Sequence, residues 1–132
     1  MRMKIVKARL KSLGSGWMIP DYDIPTPKQN ELYGQAINAF GATHQITKFS
    51  SELGELASRV SQLSCDMQRG INLDATLSET AKEYVDCMLV THAQFIEVLR
   101  REGKLQEFLV AVNGYLPVAQ EKLRGEITTA DE

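Results

Sequence analysis

From Ile46 to Met67 the chain places an apolar residue every three or four positions: Ile46, Phe49, Leu53, Leu56, Val60, Leu63 and Met67. At 3.6 residues per turn these seven form one stripe of a helix about seven turns long, a pattern that a strand with its period of two cannot use. Thr43 is the expected cap at its start and Gly70 the expected stop. A stripe of roughly 35 Å must be covered by other elements, so the chain reads as helix packed on helix, an all-α body.

The same stretch carries acids. Glu52 and Glu55 lie three residues apart at the border of the stripe, with Lys48 and Arg59 on the same side. A second pair, Glu83 and Asp86, introduces a segment in which only Asp86 and Glu97 are charged between Tyr84 and Leu99. Three residues is nearly one turn, so each pair projects from one helix face. Two such helices side by side gather four carboxylates in half-apolar surroundings, where they repel one another and lose hydration. Protons or shared cations relieve that crowding, and oxygen ligands without His or Cys suit Mg²⁺, or Mn²⁺. Magnesium binds through carboxylates plus a substrate phosphate, which implies a polyphosphate substrate. A lone E-x-x-E is ordinarily a solvated face, with Lys48 and Arg59 as surface ion-pair partners. The second pair, with Asp86 in apolar company, is what separates this chain from that case.

The remaining elements follow from local signals. Pro27 to Phe40 reads as a first helix, with Leu32, Ala36, Ile37 and Phe40 on one face and a stop near Gly41. Thr76 and Glu79 form a T-x-x-E capping box that opens a third helix running to about Arg101, apolar nearly all round and densest along Ala81, Met88, His92, Phe95 and Leu99. Lys104 to Asn113 is expected to be a fourth helix ended at Asn113-Gly114, and Pro117 the first turn of a short helix through Arg124. The helical domain therefore covers 28–125, followed by a frayed tail, 126–132. Residues 1–27 are a basic, proline-containing arm and connector. It is extended or forms a short β hairpin that turns at Gly14-Ser15-Gly16 and continues through Trp17, Met18 and Ile19.

At 132 residues and 43% apolar content the chain forms one domain. Its net charge of -2 is uneven: Arg2, Lys4, Lys7, Arg9 and Lys11 crowd the start and leave an acidic body, which argues against a nucleic-acid surface. No run approaches the ~20 apolar residues of a membrane span, and the start lacks a signal peptide's apolar core. Cys65 and Cys87 both fall inside helical patterns, as buried thiols of a reducing compartment do, and a cytoplasmic protein is expected. A di-iron bundle would need Glu-x-x-His pairs, but position 41 is Gly, three before His44, and position 89 is Leu, three before His92. His92 belongs to an apolar face and reads as a core residue; His44 is either structural or a substrate contact. G-x-S-x-G, G-x-x-x-x-G-K-[ST] and G-x-G-x-x-G are all absent.

The order E-x-x-E, then 27 residues (56–82), then E-x-x-D, with F-G-A-T-H-Q-I-T-K-F before and D-C-M-L-V after, resembles the MazG-like all-α nucleoside triphosphate pyrophosphohydrolases, in their short single-domain form. The similarity covers about Asn30 to Gly103. It implies a four-helix-type bundle assembled as a homodimer or homotetramer, and Mg²⁺-dependent cleavage of a nucleoside triphosphate between its α- and β-phosphates. Glu52, Glu55, Glu83 and Asp86 match the family's catalytic metal ligands, and Lys48 and Lys122 would be phosphate contacts. One departure stands out: the family often has an acid directly before the first ligand, and this chain has Ser51, so activity would be lower or would draw on Glu55 or Glu79. The alternative is a non-catalytic helical module that binds a nucleotide or a protein on the same fold.

Overall fold

The computed structural model describes the backbone of residues 10–12 and 18–20 and all of residues 26–131. The two short segments are strands, β1 (Leu10–Ser12) and β2 (Met18–Pro20), paired antiparallel with Leu10 opposite Pro20 and Ser12 opposite Met18. The rest of the arm and connector, including Trp17, Tyr22 and Ile24, lies outside the described residues. The body that follows is helical throughout: α1 (Pro27–Phe40), α2 (Ala42–Arg69), α3 (Asp74–Tyr84), a π-helical segment (Val85–Thr91), α4 (His92–Arg101) and α5 (Leu105–Asp131). It divides into two compact units, Met1–Phe95 and Ile96–Glu132, with the boundary inside α4.

In the first unit α1 opens with a capping box. The Thr26 hydroxyl accepts from the Gln29 amide at 3.2 Å while the Gln29 side chain accepts from the Thr26 amide at 2.8 Å, and Pro27 fills the first helical position. The chain turns into α2 at Gly41, whose φ of 92° a side chain would resist. Gly41, not Thr43, therefore caps α2; Thr43 sits inside the first turn, and its carbonyl accepts from the Thr47 hydroxyl. Gly70 ends α2 in the left-handed conformation, at φ 67° and ψ 23°.

The expected capping box at Thr76 and Glu79 does not form. The third helix starts three residues earlier than a Thr76 cap implies, at Asp74, whose amide donates to the Asn72 side chain at 2.8 Å. Thr76 is instead drawn across to α2, where its hydroxyl donates to the Asp66 carboxylate, which also accepts from Gln62 at 2.8 Å. A buried acid outbids the helix start for that hydroxyl, because leaving it unpartnered costs more than an open cap. The run from Asp74 to Arg101 is also not one α-helix, since a π segment interrupts it at Val85. α2 packs chiefly against α3 and the π segment, and α1 packs on α2. Ile37 and Cys87 are the apolar side chains of this unit that are fully covered among the described residues.

In the second unit, the helix expected to stop at Asn113-Gly114 instead runs unbroken through Gly114 and Pro117, and the tail expected to fray remains helical to Asp131. Gly114 does not adopt a positive φ, and Pro117 lies inside the helix without ending it. No residue of α5 is buried. Among the described residues no helix is long and apolar enough to cross a membrane.

Candidate metal centre

α2 supplies Glu52 and Glu55, and α3 supplies Glu83. Each offers a carboxylate oxygen within 4.8 Å of the other two. Glu52 and Glu83 are half-buried and Glu55 is exposed, as expected of positions at the border of an apolar stripe. Among the described residues Glu52 Oε2 and Glu83 Oε2 are buried without a hydrogen-bond partner. No salt bridge found among those residues reaches any of the four acids.

The electrostatics follow from that crowding. Burial, then the charges of Glu55 and Asp86, hold the Glu52 carboxyl above its ordinary range, with Lys48 pulling weakly the other way. Burial also raises Glu83, followed by the close approach and charge of Glu55 and the charges of Asp86 and Glu52. Carboxylates brought this close repel one another, and a shared proton or cation relieves the crowding. A divalent cation would offset that repulsion and give the orphaned oxygens a partner. The donors are hard oxygens and suit Mg²⁺ or Mn²⁺.

Asp86 takes a different place. It sits on the π segment, outside the three-oxygen cluster, and lines a pocket of about 180 Å³ with Lys48, Glu52, Val90 and Thr91. Glu52 thus belongs to both compartments, the three-acid cluster on one side and the Lys48 pocket on the other. The π segment contains Cys87, expected to be buried, and Thr91, which sequence reasoning passed over; Cys65, also expected to be buried, is exposed. Cys87 is wholly buried, and that burial together with the charge of Glu52 pushes its thiol pKa up. The Thr91 hydroxyl, 2% exposed, is shared between the carbonyl oxygens of Asp86 and Cys87, at 3.0 and 2.9 Å. A threonine four residues after a small residue in a helical run is too common a pattern to announce this.

Of the other sequence candidates, Lys48 reaches the site, whereas Lys122 is an exposed residue of α5 in the second unit. His92 is half-buried, edge-on to Phe49 at 5.9 Å, and His44 lies exposed against Phe40 at 5.5 Å. Ser51 is exposed, and Glu79 is engaged by Lys82 at 3.3 Å. A larger groove, about 640 Å³, opens between Gln29 of α1 and Leu77, Tyr84, Val85 and Leu89 without touching any of the four acids.

No protein-family model, curated protein or solved structure matches this chain. The geometry of the site stands alone.

Proposed function

We propose that the chain is an Mg²⁺-dependent nucleotide pyrophosphohydrolase that converts a nucleoside triphosphate and water to the monophosphate and pyrophosphate. The observation that carries this reading is the pair of buried, unpartnered oxygens, Glu52 Oε2 and Glu83 Oε2, in a three-carboxylate cluster beside a pocket that holds a lysine. Glu52, Glu55 and Glu83 would hold the cation, with Asp86 adjacent. The bound ion would neutralise phosphate charge and make a water more acidic. Lys48, across the pocket from Asp86, suits a phosphate oxygen of the substrate, as a compact point charge does. In the reaction the water oxygen bonds to the α-phosphorus, the bond from that phosphorus to the oxygen bridging to the β-phosphate breaks, and the proton of the water passes to the carboxylates.

The functional unit is a homodimer or homotetramer in a four-helix-type bundle. Support comes from the apolar side chains left uncovered: Phe40, Met67, Val110 and Tyr115 are each at least 60% exposed, and α5 has no buried residue. Surface of that kind in a folded chain marks an interface. The two free thiols, Cys65 and Cys87, suit a reducing, cytoplasmic compartment.

The test is pyrophosphate release from a panel of canonical and modified (d)NTPs with Mg²⁺ or Mn²⁺, on protein whose mass is read by sedimentation at micromolar concentration. Release of pyrophosphate by a dimer or tetramer is expected. Nucleotide binding without turnover, unchanged by Glu52→Gln, would replace this reading with the non-catalytic module, for which Ser51 in the acid's place is the motive.

A further inference from the structure

From Leu105 to Leu123, α5 repeats an apolar residue at alternating steps of four and three: Leu105, Leu109, Val112, Leu116, Ala119 and Leu123. Steps averaging 3.5 residues keep one stripe on one side of a helix, the spacing of a seam between paired helices. None of these side chains is buried, and Leu109, Val112, Leu116 and Leu123 are 41, 44, 52 and 55% exposed. The residues that would spoil a seam lie elsewhere. At about 100° per residue, Gly114, Pro117 and Gly125 fall on the side away from the stripe. So do Glu107 and Glu121, which pair with Lys104 and Arg124 at 3.3 and 2.7 Å. A helix that contains two glycines and a proline is poorly stable by itself, and it stays long only where one face is covered.

We propose that α5 is the surface through which the chain associates with itself: its stripe pairs with the same stripe on a second copy, and the pairing keeps the helix continuous through Gly114 and Pro117. Charges that flank such a seam set which partner is accepted. Here the border positions hold Gln106, Asn113, Tyr115 and Gln120, with Lys122 the one charge at that border between Leu105 and Leu123. An identical helix therefore meets almost no like-charge repulsion, and a different helix finds little to select it. Glu126 interrupts the stripe once before Ala130 resumes it, so the spacing runs over 105–130, between three and four heptads, the length that a paired helix needs. α5 lies wholly beyond Asn30 to Gly103, the stretch that carries the family resemblance. The inference rests on the reading of the chain as a homo-oligomer, for which it names the surface, and does not depend on the chemistry at Glu52.

The experiment is sedimentation equilibrium at micromolar concentration on full-length wild type, Leu116→Glu at the centre of the stripe and Val118→Glu on the far side of α5. Leu116 and Val118 are 52 and 57% exposed, so exposure alone treats them alike. Wild type and Val118→Glu are expected to associate equally, and Leu116→Glu to associate about thirtyfold more weakly, the loss typical of a central interface side chain. In the dissociated variant the amides of α5 should lose protection from hydrogen exchange while those of α2 keep it. If Leu116→Glu loses protection in α2 as well, Leu123→Gln takes its place. A monomeric wild type would overturn both the inference and the oligomer reading. An oligomer that Leu116→Glu leaves intact, or that Val118→Glu weakens as much, would overturn the inference alone, as would α5 amides that stay protected in a monomeric variant. Pyrophosphate release decides the chemistry separately.

Discussion

Two carboxylates on α2, about four turns apart, have opposite fates. Asp66 is 5% exposed and fully supplied: Gln62 and Thr76 donate to its two oxygens, and those hydrogen bonds hold its carboxyl below the ordinary range. Glu52 is less buried but has no donor for Oε2, and its neighbours are acids, so its carboxyl is held up. Burial therefore does not separate the two acids. The supply of donors does. Asp66 ties α3 to α2 with partners drawn from the same chain, whereas Glu52 Oε2 finds no donor among the described residues.

The comparison can be broken most decisively with magnesium. At a free concentration about 100 times the dissociation constant, Mg²⁺ should stabilise the wild-type protein by about 2.7 kcal/mol, read as a rise in melting temperature. Glu52→Gln and Asp86→Asn should lose most of that rise. If Asp86→Asn melts like wild type at every Mg²⁺ concentration, the acids around Glu52 are no more a site than Asp66 is. Next in size is Thr76→Val, which removes a donor from the satisfied acid. It should cost about 1–2 kcal/mol in urea denaturation and leave the Mg²⁺ response untouched; loss of that response would mean that the two regions are not independent.

The smallest effect is the dependence on pH, and its sign differs between the two carboxylates. Glu52 and Glu83 have folded-state pKa values raised above the unfolded value, so without metal the folded chain binds more protons there. Their contribution is complete below about pH 4.3 and is lost as the pH rises through the raised values. Asp66 is lowered, so its contribution is present above about pH 3.9 and is lost as the pH falls. In metal-free protein, Glu52→Gln should flatten the decline toward neutral pH without altering the acid side. A urea midpoint for Glu52→Gln that tracks wild type at every pH would erase the distinction.

What could be read in advance follows the same division between local and tertiary causes. Pro27, Gly41 and Gly70 act through their own backbone preferences, and the ends of α1 and the close of α2 fall where those residues place them. The spacing of Glu52, Glu55 and Glu83 about an apolar stripe was enough to bring those three together. Thr76 was misread because its hydroxyl has a better customer on another helix. Asn113-Gly114 and Pro117 are ordinary stop signals, and nothing in their own preferences explains why α5 runs through them. The π segment had no local signature at all: Val85, Cys87 and Val90 are ordinary helix residues.

The widened turn has one more consequence, for the length of the chain. In an unbroken helix, position along the sequence and direction around the axis are locked together, and an extra residue in one turn slips that lock. Ala81 and Met88 therefore do not continue in phase into His92 and Phe95, though uninterrupted counting puts them on one stripe. Deleting a single residue between Asp86 and Thr91 would restore the phase and swing α4 by about 100°, carrying His92 and Phe95 off Phe49. The arrangement of this face is stored in the number of residues between two points as much as in their identity.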